Sequence, residues 1–540
     1  MKIKALAVAA VAVLGAPAAA HAEGKLTQLP SPSATNINQV GQIALSPDSK
    51  QLYAVSGLDS ALTLFDRDPA TGALTQRAQC FRSDGLQGCD TGIGMQGARA
   101  VAVSPDGKSV YVGSSSGNLS VLDRAADGSL KQKPLPDACF GVGVCQPVGN
   151  LGTPRAIAVS PDGTTVYVAS PNSITVFDRD SDGSLRQKPG NNGCITQSVI
   201  AGCAQVPWLS NVRDIVASPD GKNVYVGSAG FGAILTFDRA GTGTLSANGG
   251  MASSAMPGFV AGDRISNPYG LAVSPDGRNV YSASWSTLDS GIAVLDRDPA
   301  TGALTQAAAP SIDGCVADGD PRCRLGVGVD QVRDVEVSAD GRNVYAATIE
   351  GVAVFDRAAG GDLTQKPLPD GCLQDRMQTL VYGCTPVDGT TESRSIALSP
   401  DGGSVYSTSA QTSMIAAFSR ELPAPAITQT QTQTPASGGS QSTVVTSSTA
   451  ATTTKLVAKL RGRSFKTKHG KAFNVAYVST IRGTATLQVS KGRKPVLTMK
   501  STTGKAFRIT KKLARGTYTL KLTLNAGGQT AGDSAKLIVR

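Results

Sequence analysis

A four-residue turn, Ser-Pro-Asp-Gly or a near copy, recurs seven times, beginning at Ser46, Ser104, Ser160, Ser218, Ser274, Ser338 and Ser399. Successive copies are 58, 56, 58, 56, 64 and 61 residues apart. A period of this length means a stack or ring of similar units, none of which can bury its apolar surface alone. The third unit reads RAIAVSPDGTTVYVASPNSITVFDRDSDGSLRQK. Pro presets φ at the first turn and Gly accepts positive φ. The flanking segments alternate and are rich in β-branched residues, so each reads as a strand. Each unit is thus predicted to be a four-stranded antiparallel sheet. Seven such sheets packed around an axis make a β-propeller, an all-β fold.

The seventh unit has only three strands before ELPAPAITQT. The missing one is predicted at the other end of the chain, where Lys25–Gln28 repeats the KLTQ-like pattern that closes five of the other units, unit four (TGTLSA) being the most divergent. Pairing of the two ends would close the ring and remove an open edge.

These repeats, in particular SPDGKSVYVGS, SPDGTTVYVAS, SPDGKNVYVGS and the FDRDPATGALTQ hairpins, resemble the lactonase-like seven-bladed β-propeller family, related to YVTN-repeat surface proteins. The resemblance covers about residues 24–420. It implies the fold and, more weakly, lactone hydrolysis, because propellers host many activities. Enzymes of that family place a His just before the first strand of a blade. The matching positions here are Gly41, Arg99, Arg155, Arg213, Tyr269, Arg333 and Arg394, and the only histidines are His21 and His469. A His-dependent mechanism is therefore not expected, which leaves Asp214, Asp334, Glu336 and Glu392 as possible general bases.

Arg99, Arg155, Arg213, Arg333 and Arg394 recur at one repeat position, where the long inter-blade segments enter the inner strands. Repeat symmetry puts them on one ring at the mouth of the channel. Guanidinium groups recognise carboxylate, phosphate or sulfate, so the ring is a candidate site for an anionic small molecule or glycan. The alternative is local pairing with Asp214, Asp334 or Glu392. Trp208 and Trp285 belong to the same face and are candidate stacking surfaces. The aspartates of the DR pairs (Asp66, Asp123, Asp178, Asp238, Asp296 and Asp356) recur in nearly every blade and read as structural. No Ser-His-Asp set, nucleophile elbow, phosphate loop or metal motif is visible, and no cofactor is implied.

Ten cysteines form five close pairs: Cys80 with Cys89, Cys139 with Cys145, Cys194 with Cys203, Cys315 with Cys323, and Cys372 with Cys384. Without any CxxC or neighbouring His they are predicted to be local disulfides rather than zinc ligands. Residues 1–22 have the two lysines, short apolar run and Ala-His-Ala of a signal peptide, so a secreted chain, associated with the cell envelope, is expected. No later stretch is long and apolar enough for a transmembrane helix. Residues 23–420 are assigned to the propeller, 421–454 to a disordered Thr/Ser/Gln/Pro linker and 455–540 to a small basic β-sandwich, whose hairpin LARGTYTLKLTLNAGG resembles bacterial immunoglobulin-like domains. Residues 455–540 hold 20 Lys/Arg and one acid, a net +19; the whole chain carries +11, so residues 1–454 carry −8. A cell-wall polymer or anionic membrane surface is the expected partner of that tail, rather than nucleic acid.

Taken together, the sequence favours a secreted binding or interaction propeller tethered to the envelope. The alternatives are a lactonase-like hydrolase with a non-His mechanism, and a structural surface protein without a small ligand.

Overall fold

The structure, a computed structural model, describes residues 23–423 except 33, 308–310 and 379–382, and strand segments between 458 and 539. The expected signal peptide and almost all of the expected linker lie outside the described residues. Seven antiparallel sheets follow one another along residues 26–420. Their inner strands are Val40–Leu45, Ala98–Val103, Ala156–Val159, Val212–Ala217, Pro268–Val273, Asp334–Val337 and Ser393–Leu398. The seventh sheet is completed by Leu26–Gln28, which pairs antiparallel with Met414–Arg420 in the register Leu26 to Arg420 and Gln28 to Phe418. The expected ring closure is present.

Each motif of the repeat has a physical task. In every Ser-Pro-Asp-Gly copy the Ser hydroxyl donates to the Asp carboxylate, at 2.5–2.6 Å. Both oxygens of that Asp then accept from one guanidinium of the next blade, in most clasps from a single terminal nitrogen. In the best-buried examples, Arg297 donates to both oxygens of Asp220 and to the Tyr225 hydroxyl, and Arg420 to Asp340 and Tyr345. The same clasp joins Arg67 to Asp401 and Tyr406, closing blade one on blade seven. Each tyrosine in turn donates to a turn carbonyl of the following blade; for Tyr345 this is Gly24, in the closing segment. A Cβ at Gly24 would lie 2.2 Å from the Asn343 side chain, so only glycine fits.

The recurrent Gln of the fourth strand ties the blade to the incoming chain. Its side-chain amide exchanges two hydrogen bonds with one backbone residue of the preceding segment: Gln132 with Ile93, Gln187 with Gly149, Gln365 with Val327. Gln28 does the same with Asp388, so this segment serves blade seven as the tail of its repeat. Blade four has Ala247 there and lacks the tie.

The DR aspartates are locally paired, as Asp123 with Lys133, Asp178 with Lys188 and Asp356 with Lys366. All five cysteine pairs form the expected disulfides, each within its own loop. Cys80 bonds Cys89, Cys139 bonds Cys145, Cys194 bonds Cys203, Cys315 bonds Cys323, and Cys372 bonds Cys384. In four of these blades the disulfide fastens a short parallel fifth strand to the fourth, as where Cys194–Thr196 meets Ala204–Gln205. The cysteines at 89, 203, 323 and 384 each stand just ahead of that fifth strand, so the bond sets where it begins. Among the described residues no helix is long and apolar enough to cross a membrane. Five cystines suit an oxidising compartment.

The C-terminal segments form a five-stranded sheet and two strand pairs. One face of the larger sheet buries Leu487, Val489, Leu520, Leu522 and Leu537. The β character expected of the basic segment is present; an immunoglobulin-like arrangement is not established.

Candidate functional site

The inner strands begin irregularly, and that irregularity aims the arginines. In blades two and four a register shift falls at Arg99 and Arg213, the residues between Ala98 and Ala100 and between Val212 and Asp214. Two positions earlier the backbone turns through positive φ at Gly97 (68°) and Asn211 (51°), and likewise at Gln331 (45°) and Glu392 (50°) in blades six and seven. A bulge of this kind redirects one side chain out of the sheet. The result is a cavity of about 530 Å³ at the channel mouth that all five arginines line, together with Tyr269 and Trp285.

The arginines differ in how they are held. Arg155 donates to the Asn211 side chain at 2.7 Å, and Arg333 lies 3.7 Å from Glu392. Arg213 stacks over Tyr269, 4.7 Å from the ring centre, and Arg333 over Trp285 at 5.3 Å. The two rings meet edge to face at 5.1 Å, so guanidinium, ring, ring and guanidinium form one stack. Burial and then the charges of Arg213 and Arg99 lower the pKa of Arg155; burial and then Arg394 lower that of Arg333. The mouth is therefore a field of neighbouring cations with few counterions.

Asp214 and Asp334 directly follow two of the arginines, yet neither pairs with them; of the local pairings offered as an alternative from sequence, only that of Glu392 with Arg333 is present. Successive side chains of a strand point in different directions. Asp214 instead accepts the backbone N–H groups of Ile215 and Leu271, each at 2.8 Å. Asp334 accepts those of Val335 and Ile396, each at 2.9 Å. Both line the mouth cavity and also the channel beneath it. Gly270 makes room between them: a Cβ there would lie 2.7 Å from the Cα of Asp334. Burial raises the Asp214 carboxyl to about 6. Burial, and then the charge of Asp214, raises Asp334 to about 7. Glu336, deeper in the channel, is pushed well above the usual range by burial and by both aspartates.

Trp285 belongs to this cavity and Trp208 does not. Trp208 packs edge-on against Phe231 and Phe259, at 5.5 and 6.1 Å, beside the core between blades three and four. The reason lies in blade four, which has no disulfide. Gly250 and Phe259 stand at its two cysteine positions, and the Phe259 ring covers Trp208. Tyr269 is not singled out by the sequence as a site residue, because its repeat position holds arginine in five of the other blades. Glu392 lies at the mouth beside Arg333 rather than on the channel floor. Among the described residues no group of His, Cys, Asp and Glu is placed to hold a metal ion.

A family model described as "Lactonase, 7-bladed beta-propeller" matches residues 26–192 and 151–317. Similar solved structures include a putative 6-phosphogluconolactonase from Bacteroides uniformis (22% identity, covering 60% of this chain and 82% of that one, TM-score 0.43) and a periplasmic gluconolactonase from Pseudomonas aeruginosa (19%, 60% and 83%, 0.41). None of the curated proteins matches this chain. The family match overturns the expectation of a binding or interaction propeller without a reaction of its own. That expectation gave too much weight to the missing His, whereas the mouth holds carboxyls whose pKa values lie near neutrality.

Proposed function

Because the chain belongs to the lactonase seven-bladed β-propeller family, we propose that it is a lactonase-like hydrolase working at the channel mouth with carboxyl rather than imidazole chemistry. The observation that carries this reading is the shared cavity: five arginines on its wall and, at its floor, two carboxyls that titrate near neutral pH. Asp334 in its ionised form takes a proton from water as the water oxygen bonds to the lactone carbonyl carbon. A mouth arginine stabilises the oxyanion of the tetrahedral intermediate. When that intermediate collapses, the ring C–O bond breaks and Asp334 returns the proton to the leaving alkoxide, giving a hydroxy acid. Asp334 is preferred to Asp214 because its higher pKa makes it the stronger base. The cationic wall favours a lactone that bears an anionic group, and Trp285 and Tyr269 offer it a flat flank.

The test is proton release at constant pH with neutral and anionic lactones. Hydrolysis should rise with pH through about 7, as Asp334 ionises. Asp334→Asn should lower kcat by about 10²-fold or more, the usual scale for general-base catalysis. No turnover of any lactone, or full activity in Asp334→Asn, would refute the proposal.

A further inference from the structure

The mouth face is chemically uneven around the ring. In blades two to four the loops on this face, residues 139–155 and 194–213, contain no acidic residue, and their only charged side chains are Arg155 and Arg213. The short turns between second and third strands there, 115–118, 171–172 and 229–232, carry no charge at all. From the same loops aliphatic side chains stand out into solvent: Val142 is 59% exposed, Val144 72% and Val199 80%, with Ile200 less so. Each pair sits between the cysteines of one disulfide, Cys139–Cys145 or Cys194–Cys203. Val260, 54% exposed, continues the series in blade four, where the nearby Asp263 is paired with Arg322. Exposed aliphatics occur elsewhere on this face, but next to acids, as Leu288 beside Asp289. Blades five to seven present Asp318, Asp320, Glu350, Asp388 and Glu392 to the same side, where Asp320, Asp388 and Glu392 are ion-paired with Arg322, Arg376 and Arg333.

We infer that the mouth face of blades two to four docks on an anionic lipid surface, the aliphatic tips entering the acyl boundary while the positive field of the mouth, to which Arg155 and Arg213 contribute, attracts the leaflet. Three features favour a bilayer. The aliphatic groups are separate projecting tips rather than one flat patch; a fluid bilayer accepts such points one by one, whereas a protein partner needs a continuous packed surface. The only charges of the two loops are positive, which complements an anionic leaflet. The loops of blades five to seven carry more acids than arginines and so are less attracted to the same leaflet; the propeller would lean with blades two to four down and leave the mouth partly open. The disulfides hold the tips in place before contact, so little conformational freedom is lost on binding. This inference does not depend on the hydrolysis proposed above.

The experiment uses the full chain with vesicles of phosphatidylcholine containing about one third phosphatidylglycerol. It is run in 1 M salt, where the Debye length is about 3 Å and attraction of the basic C-terminal segment is screened. Replacing Val142, Val144, Val199 and Ile200 together by Ser should weaken cosedimentation about tenfold or more, since each aliphatic group contributes roughly 1.5 kcal/mol when fully buried. Its melting temperature should stay that of the parent. Independently, Val199→Trp fluorescence should be quenched by brominated acyl chains, which keeps the test open if the fourfold variant folds poorly. Parent-like binding of the fourfold variant, or an unquenched Val199→Trp, would overturn the inference. So would lipid-independent self-association that the same four substitutions abolish, because the tips would then serve a second copy of the chain.

Discussion

Two rings of arginine lie on opposite faces of one propeller, and their chemical states are opposite. On the face of the Ser-Pro-Asp-Gly turns, seven arginines clasp the preceding blade, and their side chains are 0–6% exposed. Each meets a carboxylate with both oxygens in reach, a tyrosine hydroxyl and a turn carbonyl. At the mouth, five arginines share a void, with Glu392 the only carboxylate, among the described residues, in ion-pair range of any of them. The seven-fold ring is complete because every blade must be fastened to the next. The mouth ring is broken by Gly41 and Tyr269. Regular repetition with every donor satisfied marks architecture. Interrupted repetition with few counterions is the feature on which the proposed site at the mouth rests.

The largest effect should come from opening the fastened ring. Deleting residues 23–31 removes the closing strand, the carbonyl of Gly24 that Tyr345 uses and the Gln28 tie to Asp388. Thermal unfolding should shift down by more than for any single substitution below; an unchanged midpoint would mean that closure does not stabilise the ring. Next is Arg297→Ala, which strands Asp220 and Tyr225 at a blade junction and should cost about 3–5 kcal/mol in urea unfolding, the scale for breaking a buried pair. A cost below about 1 kcal/mol would place the clasp among ordinary surface ion pairs.

A smaller, pH-dependent effect separates the channel from both rings. Asp334 and Glu336 keep their protons in the folded state at pH values where the unfolded chain has lost them. Between about 4, the unfolded pKa, and about 7 the folded state therefore binds more protons, so stability is greatest at the acidic end and declines as pH rises. The decline should be shallower in Glu336→Gln, as read from denaturation midpoints across that range. A stability rising with pH would show that the channel carboxyls are not the groups that decide it. The smallest effect is expected from Arg99→Ala combined with Arg155→Ala. Relief of like-charge repulsion offsets the lost Asn211 hydrogen bond, and stability should stay within about 0.5 kcal/mol of the parent. Affinity for an anionic lactone should nevertheless fall, seen as a raised KM. Unfolding of this variant would make the mouth ring architectural too and erase the contrast.

The repeat made the seven blades, the ring closure and the five loop disulfides legible, because each rests on local pattern. A turn motif dictates a hairpin, alternation dictates a strand, and cysteines a few residues apart meet within one loop. The arginine ring was legible for the same reason, since one repeat position maps to one radius. The use of each charge was not. The sequence places Asp214 beside Arg213 and Asp334 beside Arg333, yet strand geometry sends them apart, the arginines into the mouth and the aspartates onto backbone N–H groups of the next blade. Trp208 and Trp285 looked alike until Phe259, at a cysteine position of blade four, covered one of them. The clasping arginines, six of them from the same DR pairs whose aspartates drew attention, gain their partners more than 60 residues away in sequence. Pairing across blades depends on which surfaces the ring brings face to face. Local pattern therefore determined the fold, and only its closure into a ring decided which charges are satisfied and which are left free to act.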